Sequence, residues 1–197
     1  MDEHNFTPEE SLLLISKTIE ETKQRFQENG HIIILWGSLT FIVFLSQYVL
    51  VLLGLYKLFD IKWTCILFPL GAIYTFMYVR QKIKKNNIPK TVFARIIGTM
   101  GWVFGANLMI LGFIFGHQLG NSIAPVFLIL LALFIIMTGV SIKFKPLIIG
   151  GILLNLIGFA TFLVNSDYYG ISMMLGAMVG LIIPGILLNK ANKKENV

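Results

Sequence analysis

The sequence is poor in charge and nearly free of cysteine, and most of its length lacks acidic residues. Of the 10 Asp and Glu residues, only Asp60 and Asp167 lie between Glu28 and Glu195. Charged residues make up 13% of the chain, against about 25% in soluble proteins. The single cysteine, Cys65, excludes an intramolecular disulfide and a cysteine-rich metal site. These absences indicate that lipid is the main solvent of the chain.

The lack of acids also excludes classes of function. Proton-coupled pumps, cation exchangers and metal-dependent intramembrane enzymes need ionisable or ligating groups at membrane depth. A serine hydrolase needs a histidine base beside its nucleophile, yet His31 and His117 are predicted at opposite membrane faces. We therefore expect no catalytic residue, no metal site and no cofactor, and a protein that is not an enzyme.

Six long apolar runs are present, and basic residues fall in every second gap between them. The predicted spans are about 31–53, 63–79, 96–115, 123–140, 146–164 and 171–188. Of the 16 Lys and Arg residues, all but Lys57 and Lys62 lie in these alternate gaps or at the two ends. Because basic loops stay on the cytoplasmic side, the alternation predicts a multi-pass membrane protein with both termini in the cytoplasm.

The predicted fold is all-α, with one membrane domain. Six transmembrane helices occupy residues 31–188, a cytoplasmic amphipathic helix occupies residues 1–30, and a cytoplasmic tail occupies residues 189–197. The net charge of +6 and the pI of about 9.5 are attributed to helix ends that face anionic lipid headgroups. We expect the lipid bilayer as the surroundings and no nucleic-acid partner.

The amphipathic helix begins at Thr7-Pro8-Glu9-Glu10, which has the form of a capping box with proline at the first helical position. Its apolar stripe consists of Leu12, Ile15, Ile19 and Phe26. Residues 1–29 hold three basic and seven acidic side chains, a net charge of −4, so anionic lipid should repel them. The stripe is predicted to bind a protein partner at the cytoplasmic face, with packing beneath the bundle as the open alternative.

Small residues are patterned in the third and sixth spans, where steps of four and seven residues recur. Such steps let helix backbones approach closely in lipid, where no hydrophobic drive acts between helices. Packing within one chain and a homo-oligomer interface both remain open. The candidate packing residues are Gly98, Gly101, Gly105, Gly112 and Gly116 in the third span, and Gly176 and Gly180 in the sixth.

Polar side chains within the spans are few. Asn107 and Asn155 fall near the predicted midplane, and Gln47 lies in the first span. Amides at such depth commonly form interhelical hydrogen bonds of about 0.6 kcal/mol each. The leading expectation is a non-catalytic accessory or regulatory protein that binds a partner through its N-terminal helix. The alternative is a small-solute binding or transport subunit whose polar site is formed by the three amides.

Three stretches of the sequence carry a resemblance to known proteins. They are Phe144-Lys145-Pro146-Leu147-Ile148-Ile149-Gly150-Gly151, Ile182-Ile183-Pro184-Gly185-Ile186-Leu187-Leu188, and the Glu-rich opening helix that leads into Leu35-Trp36-Gly37. In these stretches the chain resembles a family of small bacterial membrane proteins without an established activity. The resemblance covers most of the chain and implies an inner-membrane location. The six-span size also looks like that of the substrate-binding subunits of energy-coupling vitamin transporters, whose Ala-xxx-Ala docking pattern is missing from the first span.

Overall fold

The computed structural model describes residues 30–54, 63–85 and 92–195, together with Thr7, Leu12, Leu13 and Ser16. These residues contain helices and no strand, which confirms the all-α class. The helices are α1 Gly30–Leu52, α2 Trp63–Lys85, α3 Val92–Phe113, α4 Gly116–Leu119, α5 Ile123–Ser141, α6 Lys145–Thr161, α7 Tyr169–Ala177 and α8 Ile183–Glu195. Short 3-10 turns at Gly120–Ser122 and Ser166–Tyr168 precede α5 and α7, and a π-helical segment, Met178–Ile182, joins α7 to α8.

Each predicted span overlaps a helical segment of the described chain. Three segments are long and apolar enough to cross a membrane, namely Gly30–Leu52, Ile123–Ser141 and Ser166–Ala191, with mean hydropathies of 1.9, 2.8 and 2.3. Two shorter apolar helices, Gly98–Phe113 and Lys145–Thr161, accompany them. The described helices are thus suited to insertion into a membrane.

Two helices run six or seven residues past the C-terminal ends of their predicted spans. Helix α2 continues past residue 79 to Lys85, and α8 continues past residue 188 to Glu195, into the predicted tail. Neither extension contains glycine or proline, so nothing in the local sequence stops the helix. Apolar composition predicts where a helix crosses lipid, whereas its end depends on residues that break it.

A tight turn joins α5 to α6, the most extensively packed pair of helices. Lys143 in this turn has a φ of 54°, a left-handed conformation that is unfavourable for residues other than glycine. The Phe144 N–H donates to the Gly139 carbonyl at 2.9 Å, and the Lys143 N–H donates to the Val140 carbonyl at 3.1 Å. This is the Schellman pattern of helix endings. Pro146 lies in the first turn of α6, where no helical bond needs its missing N–H.

Glycines on one face of α6 bring its backbone against α5. A Cβ built on Gly151 would lie 3.1 Å from the Ile136 nitrogen, and one built on Gly158 would lie 3.2 Å from the Ile129 nitrogen. The two glycines are seven residues apart, and so are the two isoleucines that they face, with the chain running in opposite directions in the two helices. A methyl group at Gly151 or Gly158 would also lie 2.6 or 2.8 Å from an isoleucine Cγ1 of α5, so it would clash with that side chain and press on the α5 backbone.

A second face of α6 packs against the α7–α8 segment. Leu154 is fully buried, and Cβ atoms built on Gly176 and Gly180 would lie 2.8 and 2.7 Å from its methyl carbons. One turn earlier, Gly150 lies against Pro184. Helix α6 is therefore held on two faces by contacts that require glycine.

The π-helical segment leaves one core carbonyl without its helical donor. The Ile183 N–H donates to the Met178 carbonyl, the five-residue step of a π-helix, so it is not used by Val179. The next residue, Pro184, has no N–H to offer. The Val179 oxygen faces Gly150, where a built Cβ would lie 2.9 Å from it. Glycine at position 150 leaves space for this oxygen, which a larger side chain would crowd.

Helix α1 completes a core of α1, α5, α6 and the α7–α8 segment. A Cβ built on Gly37 would lie 2.8 Å from the Leu181 side chain, and one built on Gly185 would lie 3.2 Å from the Ile34 nitrogen. Helices α2 and α3 are more peripheral. Helix α2 meets α1 where Gly71 faces Leu39, whereas α3 meets α5 mainly through apolar side chains.

One end of the bundle, hereafter the basic end, carries the exposed residues Arg80, Lys143, Lys145 and Lys190. A buried cluster below it contains Ile142, Leu147 and Leu188 from the α5–α6 turn and α8. The opposite end is formed by residues 53–54, 114–122 and 162–168, which include Asp167 but no Lys or Arg. The described helix ends thus separate by charge.

Gly150→Ala should destabilise the bundle, because the added methyl would lie 2.5 Å from Pro184 Cγ and 2.9 Å from the Val179 oxygen. Overpacking of this kind should lower the free energy of unfolding by about 1–3 kcal/mol. Gly105→Ala is the matched control, since nothing lies within 4 Å of its Cβ. Thermal unfolding in detergent should give a lower midpoint for Gly150→Ala and an unchanged or higher midpoint for Gly105→Ala. Equal midpoints would contradict the close contact.

Candidate functional site

The predicted partner-binding stripe is described only at its first residue. Leu12 is helical and 67% exposed, and the neighbouring Leu13 is 70% exposed. The Ser16 hydroxyl donates to the Leu13 carbonyl at 2.9 Å. The other stripe residues, Ile15, Ile19 and Phe26, lie outside the described residues. At Leu12 the apolar side chain is therefore open to a binding partner.

The three amides that the sequence predicts within the membrane lie on three different helices. Asn107 on α3 is exposed, and its amide donates to the Val103 carbonyl of the same helix at 2.8 Å. Gln47 on α1 and Asn155 on α6 are half-buried. No hydrogen bond joins any two of these amides within the described part of the chain. Their use as one solute site would need an arrangement that brings them together.

The glycines predicted for helix packing fall into two sets. Gly176 and Gly180 are buried against Leu154, as described above. On α3, by contrast, nothing lies within 4 Å of a Cβ built on Gly98 or Gly105. Three further predicted glycines lie near α5. A Cβ built on each would have one α5 side chain within 4 Å, at 3.9 Å for Gly101, 3.4 Å for Gly112 and 3.4 Å for Gly116. The Gly98–Gly105 face of α3 is open in the described chain.

A histidine and tyrosine cluster joins α1 to α2 near the basic end. His31 Nε2 and the Tyr74 hydroxyl are 3.3 Å apart, and the His31 ring lies 5.8 Å from the Tyr78 ring. The rings of Tyr74 and Tyr78 stack at 6.2 Å. Their spacing of four residues puts the tyrosines on one helix face, which was a signal in the sequence. The contact with His31 could not be predicted from the sequence, because it depends on the register of α1 against α2.

A second contact between the same helices lies deeper. Trp36 Nε1 donates to Thr75 Oγ1 at 3.1 Å, and the indole stacks on Phe68 at 6.0 Å. The Thr75 hydroxyl in turn donates to the Gly71 carbonyl at 2.8 Å. Aromatic side chains with polar groups are suited to the membrane interface. This part of the molecule therefore anchors α2 to α1.

An open apolar groove lies between α3 and α5. Its volume is about 530 Å³, within the range of about 300–1,000 Å³ typical of small-ligand sites. Thr99 contributes the one polar side chain of its lining. The lining residues are Thr99, Met100, Val103 and Phe104 of α3, and Leu130, Leu133, Phe134 and Met137 of α5.

Comparison with protein-family models, with curated proteins and with solved structures found no significant match to this chain. The residues described above are therefore interpreted from their chemistry and geometry. Within the described ranges, no group of three or more His, Cys, Asp or Glu side chains is arranged to hold a metal ion.

Trp36 and Thr75 should be energetically coupled, because the indole donates to the threonine hydroxyl. A double-mutant cycle of Trp36→Phe and Thr75→Val, measured by unfolding in detergent, should give a coupling of about 0.6 kcal/mol. Trp36→Phe combined with Thr161→Val is the control, since the Thr161 hydroxyl bonds only within α6, to the Ile157 carbonyl. Strict additivity in the first cycle would contradict the interhelical bond.

Proposed function

We propose that this chain is a six-span protein of the bacterial inner membrane that acts as a non-catalytic accessory or regulatory protein. In this proposal both termini lie in the cytoplasm, and residues 8–28 bind a protein partner. The observation that carries it is the exposed apolar side chain of Leu12, in a net-acidic segment that precedes the first apolar run of the sequence.

The charge separation between the two ends of the bundle supports the topology. Arg80, Lys143, Lys145 and Lys190 come from the ends of α2, α5, α6 and α8, yet all lie exposed at the basic end. Basic residues near helix ends stay on the cytoplasmic side. The first helix begins at the same end, because Gly30 faces Asn189 of α8. An orientation with the basic end in the cytoplasm accounts for both features.

The chemistry of the N-terminal segment supports a protein partner over the membrane surface. Interfacial helices usually carry Lys and Arg on their polar face, whereas residues 1–29 have a net charge of −4. An exposed apolar stripe on a helix is typical of recognition in which a helix enters an apolar groove. A partner groove flanked by basic side chains would complement the segment.

The proposed topology predicts opposite accessibility for two exposed positions, Asn165 and Lys145. In a Cys65→Ser background, Asn165→Cys should react with a membrane-impermeant maleimide in intact spheroplasts. Lys145→Cys should react only after the membrane is permeabilised. The reverse pattern would overturn the orientation, and labelling of both cysteines in intact spheroplasts would overturn the crossing between them.

Leu12→Asp should abolish co-purification of a protein partner, because it puts a charge on the apolar stripe. Leu13→Asp is a closely matched control. It changes the same residue type at nearly the same exposure, 70% against 67%, but about 100° around the helix. Affinity purification with mass spectrometry should find a protein bound by wild type and Leu13→Asp and lost from Leu12→Asp. Deletion of residues 1–28 should lose the same protein without disturbing membrane insertion. A partner retained by the deletion would refute the role of the segment.

A further inference from the structure

The outer face of α3 carries an exposed amide near the middle of the predicted third span. Asn107 lies within the apolar helix Gly98–Phe113, and its side chain is exposed. The amide nitrogen donates to the Val103 carbonyl at 2.8 Å, which is the one hydrogen bond of this side chain among the described residues. A primary amide has two N–H donors and a carbonyl oxygen with two lone pairs. Most of the hydrogen-bonding capacity of Asn107 is therefore unused.

An unused amide is unfavourable on a surface that faces lipid. Hydrocarbon chains offer neither donors nor acceptors, so a polar group placed among them without a partner costs free energy. Polar side chains within membrane helices are accordingly found against other protein groups, commonly in hydrogen bonds between helices. Asn107 has no such interhelical bond within the described chain. Its position indicates that a further protein surface covers this face of α3.

The residues around Asn107 form a stripe with the spacing of a coiled coil. This stripe, hereafter the α3 seam, consists of Met100, Val103, Asn107, Ile110 and Ile114. Its members follow one another at steps of three, four, three and four residues, which is the a and d pattern of a heptad. Val103, Ile110 and Ile114 are 55%, 45% and 63% exposed. The seam is therefore an apolar helix face with one polar residue at its centre, and it is open to a second helix.

The α3 seam is continuous with the open groove between α3 and α5. Met100 and Val103 belong both to the seam and to the groove lining. On the other wall of the groove, Leu133 and Met137 of α5 are 48% and 53% exposed. A helix lying along the seam would therefore contact α5 as well as α3, and its apolar side chains would fill the groove.

We propose that a second copy of this chain covers this surface, in a two-fold dimer in which the two α3 seams pack together and the two Asn107 amides hydrogen-bond to each other. Both copies cross the membrane in the same direction, so the two amides lie at the same depth. Each amide is donor and acceptor, and a single Asn in an apolar seam fixes register and oligomeric state. The inference rests on the crossing of the membrane by α3 in the proposed topology. It does not depend on partner binding by residues 8–28.

A second copy fits this surface better than a lipid chain or a different protein. An acyl chain would fill the groove but leave the amide of Asn107 unpaired. A different membrane protein would need a polar side chain at the same depth, which a second copy has by symmetry. The open glycines belong to another face of α3, since Gly105 lies about 160° around the helix from Asn107. The dimer therefore uses the amide and the groove, and leaves the Gly98–Gly105 face free.

Cysteine cross-linking of the full-length chain in its membrane tests the contact. In a Cys65→Ser background, Ile110→Cys should form a disulfide-linked dimer on oxidation with copper phenanthroline. Met109→Cys is the matched control for random collisions, because Met109 is 43% exposed against 45% for Ile110 but lies about 100° around the helix. Gel electrophoresis without reducing agent should show several-fold more dimer for Ile110→Cys. Val103→Cys is a second seam variant if Ile110→Cys fails to accumulate in the membrane.

The role of the amide is tested by replacing Asn107 in the otherwise unchanged chain. Analytical ultracentrifugation in detergent should give a dissociation constant about threefold higher for each interhelical hydrogen bond that Asn107→Leu removes. Asn107→Gln keeps an amide and should retain much of the association. Both variants should unfold like the wild type, because Asn107 bonds only within its own helix among the described residues. An unchanged dissociation constant for Asn107→Leu would overturn the amide pair.

Two outcomes of the cross-linking would overturn the dimer, namely equal yields for Ile110→Cys and Met109→Cys, or an adduct with a different protein. Labelling with a membrane-impermeant maleimide separates this failure from a failure of the topology. Gln118→Cys should react in intact spheroplasts, and Gln81→Cys only after permeabilisation; both positions are exposed. Reaction of both in intact spheroplasts would overturn the crossing of α3 and the dimer with it. The expected labelling without preferential cross-linking would overturn the dimer alone.

Discussion

Close approach of helix backbones at glycine holds this bundle together, and α6 is the helix on which the core depends. Between helices surrounded by lipid no hydrophobic drive acts, so association relies on packing. Gly151 and Gly158 bring one face of α6 against the α5 backbone, while Gly150 and Leu154 bring another face against the α7–α8 segment. Because these faces belong to one helix, a side chain added to either would separate α6 from a neighbour.

The same constraint explains why the α7–α8 segment can be irregular in the core. The π-helical step and Pro184 leave the Val179 carbonyl without a helical donor, and an unsatisfied buried polar group costs about 1–3 kcal/mol. Gly150 leaves room for that oxygen, which a Cβ at this position would approach to 2.9 Å, so the glycine that allows close packing also accommodates the distorted helix. Pro184 and Gly150 are therefore best understood as one structural unit.

Helix positions could be predicted from the sequence, but helix partners could not. Apolar runs and basic gaps are local, so they predict where helices lie and which ends share a charge. Which neighbour a glycine faces is not determined by the local sequence, because it depends on how the helices pack. Gly98 and Gly105 are seven residues apart, as are Gly151 and Gly158, yet the first pair faces open space and the second faces α5. Likewise, His31 and Tyr74 come together only through the register of α1 on α2.

The division between a closely packed core and exposed α2 and α3 bears on where this protein can bind other molecules. Leu128, Leu147, Leu154 and Leu188 are almost completely buried, and the glycine contacts bring the backbones around them together. A polar solute passing through this core would have to separate helices that are in contact at backbone atoms. The groove and the Leu12 side chain are already exposed, so binding there requires no such separation. The packing therefore favours recognition at the surface of the bundle over passage through it.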